Sequence, residues 1–210
     1  MRKIGVLAIG ATATADEGAH CMGELELMMK DWALDGPFLF TKRETTQTLV
    51  AATAAYTLST AKPIRIIEAR YRSTATPQND LPMQPLTRDE YFGYPNKTAT
   101  GTPTTYYFDP VAANPVLYIW PLLASATTEA VAYTYQRRIE DITSLNNNID
   151  IPQEWLGTCG YSLAARLLDD FGIADEVANR ILARSEQMMQ KAKDFEREEF
   201  VFMRPGFYRY

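Results

Sequence analysis

Histidine is almost missing from this chain: His20 stands alone. One histidine cannot build a multi-histidine metal site, and it leaves a Ser-His-Asp triad without spare parts. Cysteine is equally scarce. Cys21 and Cys159 lie far apart in sequence, forming neither a CxxC motif nor a disulfide framework. No apolar run approaches the roughly 18 residues of a membrane span. The stretch Ile4 to Ile9 follows Arg2 and Lys3, but it is short and soon meets Asp16 and Glu17, which excludes a signal peptide of ordinary form. Basic residues are outnumbered, 21 against 26, giving a net charge of −5. That balance disfavours a sequence-reading nucleic-acid binder, which carries a basic face. The expectation is a soluble protein made in the cytoplasm, with no cofactor and no membrane partner.

Catalytic motifs are absent too. The chain has no P-loop, GxGxxG, HExxH or GxSxG. Ser59-Thr-Ala-Lys62 fits SxxK, but Pro63 follows directly and the companion SDN and KTG elements are missing. Asn96-Lys-Thr98 fits a glycosylation sequon without a secretory route to use it. His20 and Cys21 are adjacent on a helical pattern, so they point to different faces and form no dyad. Cys21 is expected to join Cys159 in the core as a small hydrophobe. Paired carboxylates, the minimum for glycoside hydrolysis, occur among Glu24, Glu26, Asp31 and Asp35 and among Asp169, Asp170, Asp175 and Glu176. A solvated polar face explains all of them and is the favoured reading.

What the 210 residues do contain is ordinary globular material, 46% apolar and 22% charged, in three stretches of different character. Residues 1–36 hold 3 basic and 6 acidic groups; residues 37–150 hold 10 of each; residues 151–200 hold 6 and 10. The first stretch reads as helix. A short helix is expected at 2–9, then a second opened by the capping-box spacing Thr14-Ala-Asp-Glu17, with apolar positions at Met22, Leu25, Met28 or Met29, and Trp32. Gly36-Pro37 should end it. The middle stretch is rich in Thr, Tyr, Val and Ile and broken by turn signals. Strands are expected at 38–43, 64–72, 103–108, 116–120 and 130–138, with a short helix from Thr87 to Phe92. The third returns to helix, with one stripe at Leu156, Cys159, Leu163, Leu167 and Phe171, and another at Val177, Ile181, Ser185, Met188, Ala192 and Phe195.

The fold class expected is therefore α+β. A helical bundle is built from N- and C-terminal helices (1–36 and 151–199), with an antiparallel β-sandwich or barrel-like domain inserted at 37–150. An extended tail occupies 200–210. That tail packs Phe200, Phe202, Met203, Arg204, Phe207, Tyr208, Arg209 and Tyr210 into eleven residues. Aromatics and arginine are the residue types that anchor interfaces, so the tail is expected to dock on another chain.

This order of elements resembles the head-to-tail adaptor proteins of short-tailed bacteriophages, also called tail accessory factors or tubular tail proteins. The opening likeness lies in Ile4-Gly-Val-Leu-Ala8, Ala15-Asp-Glu17 and the spaced Leu25, Met29, Trp32 and Gly36. The more specific part is the middle: Pro85-Leu86, Arg88-Asp-Glu-Tyr91, Asn96-Lys97-Thr98, Gly101-Thr-Pro103, Tyr106-Tyr-Phe-Asp-Pro110 and Leu117-Tyr-Ile-Trp-Pro121. Pro152 through Ala165 resembles the return to helix, and the likeness runs over residues 1–195 without the tail. It implies a structural virion protein, not an enzyme. It further implies a ring, twelve copies, seated between the portal protein at the capsid vertex and the next tail or nozzle protein. DNA would pass through the lumen without sequence-specific binding. An acidic lumen repels phosphates and lets DNA slide, so Glu24, Glu26, Asp31, Asp169 and Asp170 are the candidate channel residues. The residues leave two other readings open: a peptidoglycan hydrolase activity carried by a tail accessory protein, and a β-sandwich binding module for carbohydrate or protein.

Overall fold

A computed structural model describes residues 1–35, 38–59, 62–73, 78–111, 113–125, 129–142 and 148–196. The chain divides into two compact units. One holds Met1–Phe38 with the described residues from Asp141 onward; the other holds Leu39–Glu140.

Among the described residues, the helical unit has three long helices: α1 (Ala15–Asp35), α3 (Leu156–Arg166) and α4 (Asp175–Phe195). Helix α1 starts where the capping box predicts. Glu17 N–H donates to Thr14 Oγ1 at 3.3 Å, and the Thr14 amide donates back to Glu17 Oε2 at 2.8 Å. The expected helix at 2–9 is not formed. A single 3-10 turn, Arg2–Ile4, stops at Gly5, whose φ of 80° breaks the right-handed path. Ile4 still counts, because it is buried in a cluster with Ala164, Leu167, Leu168 and Ile181, joined by Cys21 and Val177. A second contact region is aromatic. Trp155, 1% exposed, takes Trp32 and Phe38 edge-on at 5.5 and 4.8 Å. The apolar stripes hold except at one end of each: Leu156 is half exposed and Phe195 is 73% exposed, while Phe171 and Val177 pack against the core. The predicted stop at Gly36-Pro37 lies outside the described residues.

The second unit is one seven-stranded sheet: β1 (Lys42–Thr48), β2 (Ala55–Thr57), β3 (Arg65–Arg72), β4 (Asp80–Pro85), β5 (Thr105–Asp109), β6 (Val116–Trp120) and β7 (Ala130–Gln136). Strand order is β1-β7-β3-β4-β5-β6-β2. Helix α2 (Arg88–Gly93) links β4 to β5. The sheet must curl. Its edges, β1 and β2, are consecutive in sequence and joined by six residues. Six inter-strand spacings would hold them about 29 Å apart in a flat sheet, more than the roughly 25 Å that seven residue steps can reach. The core agrees: Tyr56 of β2, Leu117 and Ile119 of β6, and Val131 and Tyr133 of β7 share one buried cluster. The inserted domain is thus a half-barrel, as the α+β expectation allows, but it is not purely antiparallel. Strand β4 meets β5 in parallel through Gln84↔Thr105 and Pro85↔Tyr106. Helix α2 supplies the crossover between them.

Candidate functional site

The most specific sequence motifs converge on the outer face of β5 and β6. Alternation sends Tyr106, Leu117 and Ile119 into the core and leaves Tyr107, Tyr118 and Trp120 outside. Helix α2 lies over them, placed by the capping box of Thr87 and Glu90. Tyr107 and Tyr118 stack at 5.6 Å, and Tyr91 of α2 meets both rings at 5.8 and 5.2 Å. Burial raises the Tyr91 hydroxyl above its ordinary pKa. Beside this trio, Tyr94 stacks on Trp120 at 4.3 Å, and Trp120 Nε1 donates to the Asn96 carbonyl at 2.9 Å. Asn96 Oδ1 in turn accepts from the Thr98 amide and hydroxyl at 3.1 and 3.0 Å, an Asx turn. Asn96-Lys97-Thr98 is therefore a structural turn in this fold. Phe92 stays 45% exposed between two cations, Arg88 at 5.3 Å and Lys97 at 4.7 Å from its ring.

The five channel candidates all belong to the helical unit, and four of them have partners. Glu24 Oε2 lies 3.3 Å from Arg166 Nε, and Asp31 pairs with the same guanidinium. The hydrogen bond to Asp31, then that to Glu24, holds the Arg166 proton more firmly than usual. This clamp ties α1 to α3. Glu26 pairs with Lys30 one turn on. Asp170 Oδ2 is 3.0 Å from His20 Nε2, joining the turn after α3 to α1. Asp169 is exposed next to it. Glu24, Asp31 and Asp170 thus stitch α1 to α3 and the turn after it rather than forming an isolated acid–base pair. Neither Arg166 as the clamp nor His20 as an ion-pair partner was legible in the sequence, because both contacts bridge more than 130 positions. The tail candidates from Phe200 to Tyr210 lie outside the described residues. The SxxK match is no helix turn either: Lys62 sits at φ 40°.

The chain thus consists of two separately packed units, a curled sheet with an aromatic cluster on its outer face and a helical unit tied by ion pairs. The comparisons supply the family. The family model of the SU10 adaptor protein matches residues 23–203, and the chain belongs to that family, head-to-tail connectors of short-tailed phages. It is a structural, ring-forming connector component of a virus particle, and no catalytic residue set or motif supports the hydrolase alternative. The match also spans both units, so the β half-barrel is not a free-standing binding module. Among solved structures the chain is similar to one described as "Neck of empty GTA particle computed with C6 symmetry". The identity is 13% and the TM-score 0.28, over 76% of this chain and 71% of that one. No curated protein sequence matches the chain. Among the described residues, no group of three or more His, Cys, Asp or Glu is arranged to hold a metal ion.

Proposed function

We propose that twelve copies of this chain form a closed ring between the portal protein and the next tail or nozzle component of the virion. The helical unit serves the portal side and the β half-barrel the tail side. Family membership over residues 23–203 carries this reading. Two units of different chemistry support it, because a head-to-tail joint needs two dissimilar surfaces on every subunit. The helical unit is acidic and closed by ion pairs; the half-barrel carries an aromatic cluster whose Phe92, 45% exposed, reaches the surface. Some of Glu24, Glu26, Asp31, Asp169 and Asp170 face the DNA channel in this reading, where negative charge keeps DNA from sticking. Residues 200–210 dock on the portal through their aromatics and arginines.

The test is to mix the purified chain with its portal ring and weigh the complex by native mass spectrometry. Twelve copies add about 284 kDa at 23.7 kDa each. A different integer corrects the ring number. No added mass overturns the portal-docking reading.

A further inference from the structure

The helical unit carries a cationic groove that its own carboxylates do not neutralise. Lys3 Nζ sits 3.8 Å above the Tyr161 ring, and the Arg184 guanidinium lies 5.9 Å from the same ring. Together with Arg180, Ile181 and Gln187 they line an open groove of about 830 Å³. Arg180, Arg184 and Gln187 fall at i, i+4 and i+7, one stripe of α4, and Lys191 extends it by another turn. Elsewhere in this unit Lys30, Arg166 and Lys193 each reach a carboxylate. Among the described residues, Lys3, Arg180 and Arg184 reach none. Lys3 and Arg184 at one aromatic ring, with Arg180 lining the same groove, repel each other, and an incoming carboxylate relieves that repulsion.

The same unit carries the complementary surface on helix α1. This helix has six carboxylates against the single Lys30, and its outward face shows Leu27 and Leu34, 51% and 77% exposed and seven residues apart. Asp31 lies between them, its side chain still 60% exposed while it pairs with Arg166, and the exposed Asp16 lies nearer the start of the helix. The two surfaces occupy different sides of α3. Arg166 faces α1, where Glu24 and Asp31 hold it. Tyr161, five residues earlier, is rotated from it by about 140° at roughly 100° per residue. A basic, aromatic groove on one side and an acidic, leucine-bearing ridge on another make a head-to-tail contact, the geometry that closes rings.

We infer that the groove around Tyr161 receives the outer face of α1 from the neighbouring copy in the ring. Lys3, Arg180 and Arg184 meet its carboxylates, Asp16 and Asp31 first, while Leu27 and Leu34 cover the apolar groove wall. This inference rests on the ring reading above. It moves Asp31 to the subunit contact and leaves Glu24, Glu26, Asp169 and Asp170 as the channel candidates.

The experiment compares wild type, R180E/R184E and L27R/L34R, all changed at exposed positions, by native mass spectrometry on the portal. Far-ultraviolet circular dichroism of each free chain checks the fold. Wild type should fill the ring, and each double variant should need at least tenfold more protein to do so. In rings assembled from a mixture of ¹⁴N- and ¹⁵N-labelled wild type, a zero-length carbodiimide should join Lys3 of one copy to Asp16 or Asp31 of another. If wild type fills the ring and both folded variants fill it equally, the interface is wrong and the connector reading stands. If Lys3 couples to the portal instead, the groove's occupant is the portal. If wild type adds no mass, the connector reading fails and takes this inference with it.

Discussion

At the scale of single residues, the two cysteines show how burial divides identical chemistries. Cys159 is 4% exposed on the buried side of α3, and burial pushes its thiol up to about 11. The thiolate is the reactive species, so Cys159 is protonated and shielded at pH 8. Cys21 is half-buried against the Ile4 cluster. Titration with a chromogenic disulfide at pH 8 should therefore show one thiol reacting quickly and a second only after denaturant is added. Two fast thiols would mean that the α3 core opens. The sequence placed both cysteines in the helical core, and the structure puts them there with different depths. Part of that difference was legible: Cys159 falls on the apolar stripe with Leu163 and Leu167, whereas Cys21 is next to the stripe that begins at Met22. The Arg166 clamp was hidden. An arginine late in an amphipathic helix looks solvated until Glu24 and Asp31 arrive from a helix far away in sequence.

At the scale of elements, helix α2 is the piece on which the aromatic platform depends. It has six residues, too few to hold itself without its cap. Thr87→Ala removes the acceptor for the Glu90 amide and should cost about 1 kcal/mol in urea unfolding. Near-ultraviolet circular dichroism should also lose intensity as Tyr91 leaves Tyr107 and Tyr118. The cap has a pH signature. Hydrogen bonds from the Thr87 amide and hydroxyl hold Glu90 below its ordinary 4.5. A depressed carboxyl contributes stability that is full above 4.5 and is lost as pH falls through its folded value. Unfolding midpoints measured from pH 6 to pH 3 should thus fall less steeply for Glu90→Gln than for wild type. Equal slopes would remove the box from the stability balance. This helix was legible because a cap is local. The strands were less so. Strand β6 matches its expected span, but β2 has three residues, too few for alternation to register, and β4 contains two prolines and looks like a loop. The apolar Phe38 drew the first strand to 38–43, yet Phe38 belongs with Trp155 and the real strand is the polar Lys42–Thr48. That strand is at an edge, paired with β7 alone, so polar residues suit it.

At the scale of the whole molecule, the parts that make the fold are separate in sequence from the tail that the connector reading gives to assembly. The described cores draw on residues no later than Ala192: the sheet cluster from Leu49 to Tyr133, and the helical cluster from Ile4 to Ile181 with Ala192 beyond it. Residues 200–210 add five aromatics and two arginines after that point. In the connector reading they bind the portal, and aromatic burial must then outweigh the loss of chain entropy on ordering. Removing them should accordingly separate folding from attachment. A chain ending at Glu199 should keep the wild-type far-ultraviolet spectrum and urea midpoint, because neither described cluster loses a member. On the portal it should need at least tenfold more protein to reach the same mass. This variant also discriminates between contacts, since the groove around Tyr161 and the α1 ridge remain intact. Once enough copies are bound, the rings that form should therefore still show carbodiimide coupling between neighbours. A truncated chain that attaches as tightly as wild type would assign portal binding to the helices alone. One that unfolds earlier would make the tail part of its own subunit.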